Sequence, residues 1–503
     1  MFDGLIAFGQ SLASFATPLS LFYVAVSSLI GLVIGALPGL TATMGLTLMT
    51  TMTLSLPPAQ ALLILICTYV GAIYGGSRSA ILLNIPGTPA SAAACLDGHA
   101  LARQGLAGRA MGIATSGSVL GTLIGMFFLA WFTPVLGEVA LKFGAYEFFW
   151  LAFFGVIISG TLTGDDPLKG WIAGIAGLFV SGIGQEAIYA FDRFTFGNRD
   201  LAGGIALVPA LVGAFGLAEL LVTMKTRRPP VDINPFDSVV PKLRDVARYW
   251  KTIVRSGCIG TFIGIIPGVG EDVAAWTSYA AAKRASKEPE TFGKGSIDGL
   301  MAAETGDNAC VPGAVIPVLT LAIPGSAPAA VLLAAMLIHG VRPGPLIMVE
   351  SPRFVYDVVA MMMLATIGIL VYGLTLTRFM IRVLQVPQTI IVPIILVLCT
   401  IGTYALAGRL FDVWVMAAFG LIGFWLRTFG YPMAPLVLGI VLGDLLEKNL
   451  RRGLVLSDGD LTPFVTRPIS AVLFASIVLI IAFRFDGVRA LAARLVRSPA
   501  RST

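Results

Sequence analysis

The sequence predicts an all-α polytopic membrane protein. About eleven to twelve transmembrane segments are expected, in two related, inverted repeats with broken helices or re-entrant hairpins. Three observations lead there. The 503-residue chain is 56% hydrophobic and only 12% charged, with a mean hydropathy of +0.88. Soluble domains carry roughly 25% charged residues, so half that density cannot coat a globule. Apolar runs such as "YVAVSSLIGLVIGALPGL" (23–40) and "GIATSGSVLGTLIGMFFLAWF" (112–132) are long and continuous, as spanning helices are and barrel strands are not. Finally, two interruptions recur in the same order: "GALPGL" (35–40) then "LNIPGT" (83–88), and "GIIPGVG" (264–270) then "LAIPGS" (321–326). Equivalent positions are offset by 229 and 238 residues. Two motifs in register indicate an internal duplication, the way many secondary transporters are built. Inversion requires an odd number of spans between equivalent points.

Charge divides the chain. The block 225–251 holds seven basic residues against three acidic. It separates a first membrane repeat (1–224) from a second repeat with C-terminal spans and a basic tail (252–503). By the positive-inside rule, linker and tail are cytoplasmic. The basic loop "EKNLRRG" (447–453) conflicts with that rule, lying one clear span from the tail. No Lys or Arg precedes Arg78, so the N-terminus lacks a secretory signal and is expected to be retained, facing away from the cytoplasm. The formal charge of +6 is read as membrane orientation, with no nucleic-acid partner.

The breaks carry the chemistry. Proline lacks an N–H and costs about 3 kcal/mol inside a helix. In lipid, freed backbone groups survive only inside protein or along an aqueous cavity. Broken helices therefore expose N–H groups and a positive dipole to an anion, and unwound carbonyls to a hard cation. Candidate substrate- and ion-binding residues are Pro38 and Gly39, Asn84, Pro86, Gly87 and Thr88, Pro267 and Gly268, and Pro324, Gly325 and Ser326. A plain kink is the alternative for any single break.

"YVGAIYGGSRSAILLN" (69–84) adds Gly75, Gly76, Ser77 and Arg78. No GK[ST] follows, and the setting is an apolar hairpin, so this is no nucleotide loop. Arg78 either meets a carboxylate or snorkels to an interface. Downstream, Glu304, Asp307 and Asn308 can hold a cation or relay protons, or form a loop end and N-cap before Pro312. Asp165-Asp166 and Asp97-Gly98 read as turns. Five cysteines without CxxC spacing read as small core residues. His99 and His339 fit no metal pattern, so no metal and no cofactor is expected. A membrane-embedded enzyme would need a nucleophile–base or metal constellation, and neither GxSxG nor HExxH occurs. A passive anion channel is the remaining alternative.

Together "GALPGLTATMGL", "YGGSRSAILLNIPGTPASAAACLDGHALARQG", "GIIPGVGEDVAAWTSYAAAKRASKEPETFGKGSIDGLMAAETGDNA" and "LTLAIPGSAPAAVLL" resemble the large permease subunit of tripartite tricarboxylate transporters, over most of the chain. The resemblance implies a bacterial inner-membrane permease working with a small membrane subunit and a periplasmic solute-binding protein. It implies ATP-independent symport of tricarboxylates or related organic carboxylates, with Na⁺ or H⁺ as coupling ion, and an elevator-like motion. The family's signature breaks fall on Pro38-Gly39, Pro86-Gly87, Pro267-Gly268 and Pro324-Gly325, its glycine-glycine-serine on Gly75, Gly76 and Ser77. Its paired-asparagine stretch ends at Asn308. Two departures alter the charge of a pocket: Asp307 replaces the first asparagine of that pair, and Arg78 stands where a small or apolar residue is expected.

Overall fold

With no water in hydrocarbon to bond their amides, apolar runs satisfy themselves turn by turn as helix. The computed structural model describes residues 2–163, 166–186, 190–225, 238–241 and 243–482. The first half of the chain holds α1 (Phe2–Phe15), α2 (Pro18–Ala36), α3 (Ala42–Met52), α4 (Pro58–Leu83), α5 (Ala107–Ala140), α6 (Ala145–Leu162), α7 (Pro167–Ser181) and α8 (Leu207–Lys225). The second holds α9 (Trp250–Ile265), α10 (Gly270–Ala285), α11 (Ile297–Leu321), α12 (Ala327–Ile338), α13 (Phe354–Thr375), α14 (Gln388–Ala407), α15 (Leu410–Thr428), α16 (Met433–Leu456) and α17 (Pro468–Ala482). Residues 226–237 and 242 of linker 225–251 and the tail from 483 onward lie outside the described residues, as does Asp165.

Among the described residues, eight helices are long and apolar enough to cross a membrane: α2, α4, α5, α6, α8, α13, α14 and α15. The expected eleven to twelve are not reached: shorter helices lie both away from the interruptions, where α1 has 14 residues and α7 and α17 have 15 each, and at the interruptions themselves. There α3 has 11 residues, α9 and α10 have 16 each, and α12 has 12, all short of the ~18–20 a full span needs.

Four local expectations are corrected. The stretch 69–84 is no hairpin, because α4 runs unbroken to Leu83. Glu304, Asp307 and Asn308 are no loop end, because α11 continues through them and through Pro312 and Pro317. "EKNLRRG" lies inside α16, where the i,i+4 pairs Asp444–Lys448 (2.7 Å) and Glu447–Arg451 (2.9 Å) support helix. Asp97-Gly98 belongs to a π-helical turn, Cys95–His99. There Asp97 Oδ1 accepts from the backbone N–H groups of Gly293, Gly295 and Ser296 at 2.8–2.9 Å. One buried carboxylate thus holds the loop before α11, which is a longer-range task than a turn performs.

Small residues set the packing. A Cβ on Gly31 would fall 2.4 Å from the Thr68 carbonyl oxygen, and one on Gly35 would fall 2.0 Å from that of Ala72. So α2 and α4 touch backbone to backbone. The contact of α9 with α11 is the same: Gly260 lies against Gly306 (2.1 Å) and Gly264 against Cys310 (2.6 Å). The glycines are offset by 229 residues and their partners by 238. These are the offsets of the Pro-Gly motifs.

Candidate functional site

Each break has a local cause. After α2, Leu37 turns extended (φ −76°, ψ 108°), Pro38 forbids continuation, and Gly39 takes φ +84°. Thr41 then caps α3 by accepting from Met44 N–H at 3.2 Å. After α9, Ile266 does the same (φ −76°, ψ 120°), followed by Pro267 and Gly268 at φ +74°. The second member of each pair begins with a left-handed residue: Asn84 (φ 56°, ψ 28°) after α4, and Ala322 (φ 56°, ψ 33°) after α11. Gly87 N–H then reaches back to the Gly76 carbonyl at 3.3 Å, and Gly325 N–H to that of Ala314 at 3.3 Å. Ser326 caps α12 through Ala329 N–H (3.3 Å), and Thr88 opens a 3₁₀ turn, Pro89–Ser91.

The four restarts converge. One cavity of about 460 Å³ is lined by Gly39 and Thr41 to Thr43, by Pro86 to Ala90, by Gly268 to Asp272, and by Ala327 and Pro328. Thr163, Phe215, Glu219, Arg427 and Tyr431 complete its wall. Of the sequence candidates, Gly39, Pro86, Gly87, Thr88 and Gly268 line it. Ser326 stands one shell behind: its Oγ donates to Glu271 Oε1 at 2.8 Å and lies 2.7 Å from the Tyr69 hydroxyl. Tyr69 also donates to the same Glu271 oxygen. Thr88 Oγ1 is buried without a hydrogen-bond partner among the described residues, a hydroxyl left for whatever enters. Pro38, Asn84, Pro267, Pro324 and Gly325 shape the breaks from outside the lining, and Gly75 and Gly76 pack α4 against Leu32 and Thr88.

Ser77, Arg78, Asp307 and Asn308 gather elsewhere, in a polar cluster between α4, α5 and α11. Glu304 Oε2 accepts from Ser77 (2.7 Å) and Ser118 (3.0 Å). Asn308 Nδ2 reaches Asp307 Oδ1 (2.7 Å), Ser118 Oγ (3.0 Å) and the Glu304 carbonyl (3.1 Å). Arg78 is 1% exposed, which excludes snorkelling. Its Nη2 donates to Thr115 at 3.1 Å, and its guanidinium lies over Tyr74, 4.2 Å from the ring centre. It does not line the cavity.

Comparison with known proteins decides the family. Residues 21–438 match the family described as "Tripartite tricarboxylate transporter TctA family". The chain belongs to the TctA family. A relative from Agrobacterium vitis, "Uncharacterized 52.8 kDa protein in TAR-I ttuC' 3'region", is 35% identical over 460 residues, 91% of this chain and 92% of the relative. A second from the same organism, "Uncharacterized protein in TAR-II ttuC' 3'region", is 36% identical over 212 residues, 42% of this chain and 88% of that relative. No solved structure matches. This TctA-family chain is therefore a multi-pass membrane component of a transporter and not an enzyme.

Sequence reasoning missed four ionisable residues in this TctA-family cavity: Glu271, Asp272, Glu219 and Arg427. Each carried a readable signal. Glu271 and Asp272 directly follow a Pro-Gly break, in the first turn of α10. Glu219 interrupts the apolar "LVGAFGLAELLV" and Arg427 ends "GFWLR"; charges inside spans mark function by default.

Proposed function

We propose that this chain is the permease of an ion-coupled secondary transporter that imports tricarboxylates or related organic carboxylates across the bacterial inner membrane. The observation that carries this reading is the meeting of four helix restarts on one cavity. The N-terminal ends of α3, α10 and α12 face that cavity, and the positive end of a helix dipole favours a negatively charged solute. A volume near 460 Å³ falls in the ~300–1,000 Å³ range of small-molecule sites.

Three carboxylates, Glu219, Glu271 and Asp272, share that lining with one guanidinium, Arg427. An anion entering such a surround benefits from a cation arriving with it, which is the physical basis of coupling to Na⁺ or H⁺. Glu271, Asp272 and the cluster of Glu304, Asp307 and Asn308 are the groups able to take that cation. The constant offsets of breaks and glycine contacts support two related halves, which we assign as an inverted repeat hinged at the basic linker. A small membrane subunit and a periplasmic solute-binding protein complete the system, the latter delivering the carboxylate.

The test is reconstitution of the chain with both partners, followed by uptake of radiolabelled citrate, malate, succinate and benzoate under an imposed Na⁺ or H⁺ gradient without ATP. Accumulation above equilibrium is expected for at least one. Equilibration alone points instead to a passive channel, and no carboxylate flux at all refutes the reading.

A further inference from the structure

Within this cavity one contact stands out chemically. Arg427 is the cationic side chain of the lining, and it is held by Glu219. Close packing of α8 on α15 sets the pair: a Cβ on Gly423 would fall 2.8 Å from that of Ala218. One residue beyond Ala218 and one turn beyond Gly423, Glu219 and Arg427 face each other. The contact uses one edge only. Nη1 meets Glu219 Oε2, whereas the buried Nε has no hydrogen-bond partner among the described residues. A guanidinium is built to pair two-point with a carboxylate, so Arg427 keeps an unfilled donor edge beside a cavity suited to an organic acid.

We infer that Arg427 is the anchor for a substrate carboxylate, and that Glu219 is a built-in stand-in which holds it in the empty cavity and yields on loading. This rests on the carboxylate-import reading. It adds the residue that recognises the anion's charge and the internal group that competes for it. A resident competitor keeps a partly buried guanidinium, 22% exposed, from standing unpaired, which costs free energy wherever a charge is drawn out of water. It also makes retention depend on an acid able to displace Glu219, so a neutral solute of equal size gains nothing from Arg427.

The measurement is the KM of uptake in the reconstituted full system, read on whichever of citrate, malate, succinate or benzoate the wild type accumulates. R427Q is expected to raise KM at least tenfold, R427K less, and E219Q to lower it about threefold. A latch that merely ties α8 to α15 is separated by the paired variant E219L/R427M. An apolar swap of a buried ion pair is often tolerated for stability, so this variant also serves if R427Q does not fold. The anchor requires its KM to rise as in R427Q, with the melting temperature little changed. Unchanged KM in either variant overturns the anchor while wild-type accumulation leaves carboxylate import standing. E219Q raising KM as far as R427Q overturns the competitor role. Absence of accumulation by the wild type overturns the import reading itself.

Discussion

The first pair of breaks and the second share a backbone and differ in side chains. Both place a left-handed residue before Pro-Gly, both return the following glycine N–H to a carbonyl eleven residues back at 3.3 Å, and both restart helices at the same cavity. The residues just after each restart are not alike. Past Gly39 come Ala42 and Thr43; past Gly268, at the same offset, come Glu271 and Asp272. Thr88 leaves its hydroxyl free, whereas Ser326 spends its own on Glu271 beside Tyr69. The polar cluster is as lopsided. Offsetting Glu304 by 238 residues lands on Ile66, and offsetting Arg78 lands on Ile316, both fully buried. At matching positions of the two break pairs, the first thus presents neutral Ala42, Thr43 and Thr88 where the second presents Glu271, Asp272 and Ser326; the Glu219–Arg427 pair lies outside this contrast.

The largest effect should come from the shared part. A Cβ on Gly87 would lie 2.0 Å from the Gly35 carbonyl oxygen, and one on Gly325 would lie 2.0 Å from that of Gly264. Neither carbonyl can move without shifting a helix. G87A and G325A should each cost about 3 kcal/mol, the upper range for overpacking, visible as equal losses of melting temperature in detergent. Tolerance of one and collapse of the other would break the equivalence of the halves.

Much of this was legible beforehand. A break in lipid must be buried, so the four Pro-Gly motifs announced their backbone role, and Gly39, Pro86, Gly87 and Gly268 line the cavity. The unread part has a physical reason. Glycine serves helix breaking and close helix packing alike, so Gly75-Gly76 looked like a corner and is a contact surface inside α4. Proline is likewise tolerated within α11 at Pro312 and Pro317. Arg78, Glu304 and Arg427 find their partners 37 to 227 residues away, at Thr115, Ser77 and, for Arg427, Glu219 on another helix. A one-dimensional pattern identifies such charges as unusual without naming what they meet.

The polar cluster offers the next contrast. E304I installs in the second half what the first half holds at the matching place. It strips Ser77 and Ser118 of their acceptor and leaves Arg78 buried without that nearby negative charge. A loss of about 3 kcal/mol is expected by chemical denaturation. The double variant R78I/E304I removes the unpaired charge as well and should recover part of that loss. Additive losses would show that the two groups do not sense each other.

Side chains at the cavity should then divide coupling from recognition. E271Q removes the carboxylate held by Tyr69 and Ser326, and gradient-driven accumulation should fall severalfold with the KM for the anion nearly unchanged. T88V removes a neutral hydroxyl, and KM should rise about threefold, near 0.7 kcal/mol and within the range for one hydrogen bond, while the accumulation ratio is kept. The reverse assignment, coupling lost in T88V and affinity lost in E271Q, would invert the contrast between the two pairs of breaks.

The smallest effect probes the turn itself. Asn84 and Ala322 sit at nearly the same left-handed angles, φ 56° with ψ 28° and 33°. Their side chains are not equally suited to it. An asparagine visits that region readily, whereas the alanine Cβ crowds the following carbonyl at a cost of roughly 1–2 kcal/mol. Glycine relieves that crowding but brings its own chain entropy, worth about 0.5–1 kcal/mol. A322G should therefore stabilise the protein by about 0.5 kcal/mol, and N84G should leave it unchanged or slightly weaker. Melting curves on the two variants, run side by side, read the difference directly. Equal behaviour would mean that the surroundings, and not the local backbone, set the cost of each turn.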